Sequence, residues 1–148
     1  LLTTLFILLV ITIYGQYYWQ TKKQNALCAR GSYTAVMGNS TFAINILDTP
    51  DERALGLSGK ESLPEDEAVL FSFESPTQIG FWMKDIDIIF LDSEYRVIGV
   101  REEVTPESFP KEYFSPKNMR YTIEVNSGIV KKFGIAVGSS IVVTPCEN

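Results

Sequence analysis

The chain has 148 residues, 45% of them hydrophobic, with 13 Lys+Arg against 18 Asp+Glu and a formal charge of −5; that is enough for one compact domain with a short extension and too little for two ordinary domains. Lys22 and Lys23 precede the globular part, which holds every acidic residue, and such an acidic domain repels phosphate backbones, so nucleic acid is not an expected partner. Histidine is absent, which excludes Ser-His-Asp and Cys-His catalysis and the usual imidazole metal sites.

The N-terminus is an uncharged apolar run from Leu1 to Tyr14, followed by Tyr17, Tyr18 and Trp19. As a helix, Leu1 to Trp19 reaches roughly 28 Å at 1.5 Å per residue, close to what a bilayer requires, and aromatic side chains at its end suit the headgroup boundary. Residues 1–19 are therefore expected to form a transmembrane anchor, or a cleaved leader that would leave the domain secreted. Residues 20–27 read as a polar tether, and residues 28–148 as the globular domain. Cys28 opens that domain and Cys146 closes it; a bridge between them would persist only in an oxidising compartment, which places the domain outside the cytoplasm. Two free thiols are the alternative, and the lysine pair beside the span pulls the other way, because positive residues flanking a span tend to stay cytoplasmic.

Tyr33 to Met37 and Thr41 to Leu47 are β-rich runs around Gly38-Asn39, a dipeptide suited to a hairpin turn, with Phe42, Ile44 and Ile46 on one face. Thr49-Pro50-Asp51-Glu52 is a helix start, with Thr49 as cap, Pro50 in the first turn and Glu52 reaching back in a capping box. That helix should run to about Ser58 and stop at Gly59, with Ala54 and Leu57 toward the sheet. Ala68 to Phe73 is apolar on both faces and reads as a central strand. Phe81 to Met83, Ile86 to Leu91 and Tyr95 to Val100 follow as extended segments, with Asp92 in the turn before Tyr95. Thr105 to Asn118, with three prolines, reads as a surface loop. Arg120 to Asn126 is a strand with Tyr121, Ile123 and Val125 on one face; Ser127 to Phe133 is a second short helix capped by Ser127 and ended by Gly134, and Ser140 to Thr144 is a last strand. The expected class is mainly β (α+β): a small antiparallel β-barrel-like domain with two short helices, since closure removes exposed edges.

No phosphate-cradling loop or zinc ligand set occurs, so neither cofactor nor metal is expected. The groups available for chemistry are carboxylates. Asp85 and Asp87, two apart, would project from one face of a regular strand, with Lys84 on the other. Glu124 lies mid-strand in a polar row with Thr122 and Asn126, and becomes a candidate acid or base if that row lines a cleft rather than a solvated outer face. Trp82 is either a core anchor or part of an exposed ridge for sugar rings or side chains, with Tyr113 and Phe114 nearby.

In order, Thr49-Pro50-Asp51-Glu52-Arg53-Ala54-Leu55-Gly56-Leu57, Ala68-Val69-Leu70-Phe71, Phe81-Trp82-Met83-Lys84-Asp85, Ile123-Glu124 and Gly134-Ile135-Ala136-Val137-Gly138 resemble the motifs of the DUF192 (UPF0127) family, over roughly Ser32 to Val143. The resemblance implies a small β-barrel-like fold, often anchored or exported, with no agreed catalytic residues. Family sequences usually carry extra residues between the F-W-M-K-N cluster and the D-I-I-F strand; here only Ile86 separates Asp85 from Asp87. The expected function is a non-enzymatic, membrane-anchored binding module for a small molecule, glycan or protein around Trp82, Lys84, Asp85, Asp87 and Glu124. The rival is a glycosidase-like hydrolase pairing Glu124 with Asp85 or Asp87.

Overall fold

The computed structural model describes residues 2–57, 60, 62–73, 78–79, 85–108 and 113–147. The apolar N-terminal run is helical, α1 (Leu2–Cys28), and its side chains from Leu5 to Trp19 are exposed around the whole circumference. Among the described residues, no helix is long and apolar enough to cross a membrane, so the described part of α1 does not meet the expectation of a spanning helix. The stretch read as a polar tether is the last part of this same helix. Gln24 donates from Nε2 to the Thr34 hydroxyl at 2.8 Å, Leu27 is buried, and Cys28 is bonded to Cys146 with their Cα atoms 5.5 Å apart.

The hairpin forms where Gly38-Asn39 predicts it: β1 (Tyr33–Met37) pairs antiparallel with β2 (Ser40–Leu47), and Gly38 takes φ 57°, a left-handed conformation that glycine adopts without a side-chain clash. Helix α2 (Pro50–Leu55) has the capping box of Thr49 and Glu52, but ends at Gly56, earlier than expected; Ala54 is exposed and only Leu57, beyond the helix, packs inward. Then come β3 (Glu67–Ser72), the short β4 (Gln78–Ile79), β5 (Ile86–Leu91) and β6 (Val97–Val104). The segment read as a loop holds a 3-10 turn, Pro106–Ser108, and β7 (Tyr113–Phe114). Last are β8 (Tyr121–Asn126), α3 (Ile129–Phe133) and β9 (Val142–Pro145).

Seven strands make one sheet in the order β6-β5-β8-β3-β2-β1-β9, and β4 pairs with β7 separately. Two expectations are corrected here. The sheet is open rather than a barrel: among the described residues, one isolated bridge, Arg96 with Ser140, and the backbone bonds joining Val97 to Ser139 and Gly138, and Tyr95 to Ile141, bring β6 toward the segment before β9. It is also not wholly antiparallel, because β2 and β3 run parallel. The physical reason is the connection: a helix between two strands carries the chain back so that both run the same way.

The central strands β3, β5 and β8 are buried on both faces. On one, Phe42, Ile44, Leu70, Ile89, Leu91, Ile123 and Val125 pack against Ile129 and Val130 of α3 and against Ile135. On the other, Ile86, Ile88 and Phe90 of β5 meet Val104 and Met119, while Val69 and Phe71 of β3 meet Leu63, with Leu57 and Phe73 touching both groups. We call these the α3 face and the second face.

Candidate functional site

Strand alternation sorts β8 into two rows. Tyr121, Ile123 and Val125 belong to the α3 face; Thr122, Glu124 and Asn126 therefore point to the second face. Glu124 is paired across the sheet with Val69 of β3 on one side and Ile88 of β5 on the other, so directly opposed apolar side chains flank its carboxyl. It is only 9% exposed. Of the two alternatives open for this row, a cleft or a solvated outer face, the burial of Thr122 and Glu124 does not fit the second.

Of the three polar groups in the row, two are engaged locally. The Thr122 hydroxyl donates to Met119 Sδ at 3.6 Å. Asn126 holds Leu63 at both ends, accepting from its N–H at 3.1 Å and donating to its carbonyl at 2.7 Å. Glu124 has no hydrogen-bond partner among the described residues. Burial pushes this carboxyl up to about 7 from the ordinary 4.5, because the charged form loses hydration. At neutral pH such a group exists in both protonation states and can accept or donate.

Asp87 is buried at 0% exposure, but on the other side of the sheet: it neighbours Ile88, the partner of Glu124, and so points to the α3 face. Its two oxygens accept from the N–H of Glu103 and the N–H of Val130, each at 3.0 Å. The first bond secures a residue of β6 held at φ 53°, where β5 and β6 slip in register. The second caps α3. That helix was expected to be capped by Ser127; instead Gly128 occupies the cap position in a left-handed conformation without a side-chain bond, and a carboxyl from a distant strand supplies the acceptor the free N–H needs.

Asp85 is exposed, just before β5, and its backbone carbonyl accepts from Ser127. Asp85 precedes β5, which begins at Ile86, so of this pair only Asp87 lies within the strand. Trp82 and Lys84 lie outside the described residues. Asp92 is the turn residue it was read as, accepting from the N–H groups of Glu94 and Arg96, each at 2.9 Å. The site therefore reduces to Glu124 with neighbours that were not singled out from the sequence: Val69, Ile88 and the Leu63 backbone held by Asn126. Alternation in β3, β5 and β8 places each on one of two faces, but only register says that these three meet.

A separate open hollow of about 550 Å³ lies beside α3, with Glu102, Glu103, Lys131 and Gly134 in its lining. It does not include Glu124. We place the candidate site at Glu124 because it is a buried carboxyl for which no partner is found among the described residues.

The DUF192 family model, described as Uncharacterized ACR, matches residues 33–143. No curated protein matches the chain. Among solved structures, one from Sinorhizobium meliloti 1021, described as a candidate transcription regulator, is 22% identical, with 75% of this chain and 91% of that one covered and a TM-score of 0.65. A protein of unknown function from Novosphingobium aromaticivorans DSM 12444 is 24% identical, with 74% and 82% covered and a TM-score of 0.64. At these identities the likeness is one of fold.

Proposed function

The chain belongs to the DUF192 family, and from that premise we propose a non-enzymatic binding module that takes a ligand against Glu124 on the second face of the sheet. The observation that carries this reading is the buried carboxyl of Glu124, for which no partner is found among the described residues, in a row where Thr122 and Asn126 are both engaged. Burying an unpartnered polar group destabilises a fold, and a complementary group on a ligand offsets that cost. Hydrolysis by paired carboxyls draws no comparable support, because Asp87 faces away from Glu124 with both oxygens engaged and Asp85 is exposed.

The module is, in this reading, held at a membrane by α1 and displayed on the extracytoplasmic side. The exposed apolar helix supports the first part, since an isolated helix that is apolar all round suits lipid better than water. The Cys28–Cys146 bond supports the second, since such bonds persist in oxidising compartments. The acidic domain makes nucleic acid a poor partner.

The binding reading is tested by titrating the full chain with a fragment panel and following the methyl signals of Ile88 and Val69 by NMR. Hits should shift both and should weaken in Glu124→Gln; a panel whose hits all leave these methyls unmoved contradicts it. For the location, impermeant reductant followed by impermeant maleimide should label Cys28 and Cys146 in intact cells. Labelling only after lysis places the domain in the cytoplasm.

A further inference from the structure

The end of α1 is fastened to the sheet in three places, and their order fixes which way the sheet points. The Arg30 carbonyl, just past the helix, accepts from Asn45 Nδ2 at 3.3 Å. Cys28 is bonded to Cys146, whose N–H donates to the Ser32 carbonyl at 3.0 Å. Gln24 donates to the Thr34 hydroxyl at 2.8 Å. Because Ile44 is the partner of Tyr33, Asn45 is level with Ser32 in the hairpin. Going back along α1 from Arg30 through Cys28 to Gln24 is therefore going forward along β1 from Ser32 to Thr34. The strand runs back beside the helix, toward its apolar end.

Carried one step further, this direction brings part of the domain to the aromatic end of the apolar run. At about 1.5 Å per residue on the helix and about 3.3 Å on the strand, Val36, roughly 7 Å beyond Thr34, comes level with Trp19 and Gln20, and the turn at Gly38-Asn39, roughly 13 Å beyond, reaches past Tyr17. Aromatic residues in this position suit the headgroup boundary. Resting on the reading that α1 is held in a membrane, we propose that the β1–β2 turn and the adjoining start of β9 form a lipid-contact surface, lying on the phospholipid headgroups around α1.

The side chains found there suit such a surface. Val36 and Val142 are cross-strand partners, 45% and 58% exposed, so they stand together on one face. It is the face that carries Thr34 and its bond to α1. Residues 31–47 and 134–145 contain no charged residue, although the chain holds 18 Asp+Glu, so neither segment brings a carboxylate to the lipid phosphates. Lys22 and Lys23, exposed on α1 between Trp19 and Gln24, add positive charge at the same height, which anionic headgroups attract. Leu55, also exposed, is in α2, which follows the opposite end of β2.

The test places the full chain, with its disulfide intact, in phosphatidylcholine nanodiscs and follows Leu, Ile and Val methyls by NMR. One sample carries a nitroxide on the lipid acyl chain and another carries gadolinium chelated at the headgroup. The acyl-chain probe should broaden Leu9 and Ile11 of α1, and the headgroup probe should broaden Val36 and Val142 several-fold more than Leu55. Broadened α1 methyls, with Val36 and Val142 affected no more than Leu55, would overturn the lipid-contact surface and leave the membrane reading standing. Leu9 and Ile11 left sharp by the acyl-chain probe would overturn both.

Discussion

Replacing Glu124 by Gln should change how stability depends on pH in one direction only. The folded carboxyl is raised from 4.5 to about 7 by burial, so the native state holds its proton more tightly than the unfolded chain between those values. The group's favourable contribution is fully present below about pH 4.5 and is lost as pH rises through about 7. At about 1.4 kcal/mol for each pH unit across the interval, the loss amounts to about 3 kcal/mol. Gln has nearly the same shape and no charge to lose. Urea unfolding of both proteins from about pH 4 to about pH 8 should therefore show Glu124→Gln gaining about 3 kcal/mol on the parent over that range. Any constant offset from the amide cancels, as do the carboxyls of Glu52, Asp66 and Glu107, all held below the ordinary range by hydrogen bonds, because they titrate alike in both proteins. A difference that stays flat with pH would refute the reasoning and mean that Glu124 is solvated or paired.

Removing the Asp87 carboxyl should act oppositely. Asp87→Ala leaves the N–H groups of Glu103 and Val130 without acceptors and should cost about 2–5 kcal/mol, read as a fall in urea midpoint; Asp87→Asn, keeping one acceptor, should cost less. Opening the Cys28–Cys146 bond, which closes a separation of 118 residues, should lower stability by about 5 kcal/mol in the chain-entropy account, measured as the melting shift of Cys28→Ser/Cys146→Ser against the parent. Gly38→Ala should cost at least about 2 kcal/mol in thermal unfolding, since the residue sits at φ 57° and an added Cβ would fall on the Phe133 carbonyl.

The parts of the fold legible in the sequence are those decided by neighbours in the chain. Gly38-Asn39 turns the first hairpin, Thr49 and Glu52 close a capping box three residues apart, and the unbroken apolar run beginning at Ala68 forms a strand buried on both faces. The parts that were not legible depend on which distant segments meet. The parallel pairing of β2 with β3 had a signal in the strand-helix-strand order, which reading the strands as a barrel overrode. Leu27 carries no sign in the sequence that it closes the core, because it is a single large apolar residue between Ala26 and Cys28 in a stretch that opens with Gln20 to Asn25, and the disulfide and the Gln24–Thr34 bond help to draw the end of α1 onto β1.

The candidate site shows the same division. Glu124 was picked out by its place in an alternating strand, and alternation alone could not say whether that row was wet or buried. Asp87 was picked out for its spacing from Asp85, yet its role is set by Val130 and Glu103, 43 and 16 residues away. A carboxyl in an apolar strand is thus ambiguous between a structural acceptor and a binding group until its partners are known. In this protein the two carboxyls lie on opposite faces of one sheet, Asp87 as a structural acceptor and Glu124 with no partner among the described residues.

The most direct measurement is the titration of the Glu124 carboxyl carbon itself in selectively labelled full-length protein. The account predicts a midpoint near 7, because burial disfavours the ionised form. A midpoint near the ordinary 4.5 would contradict it.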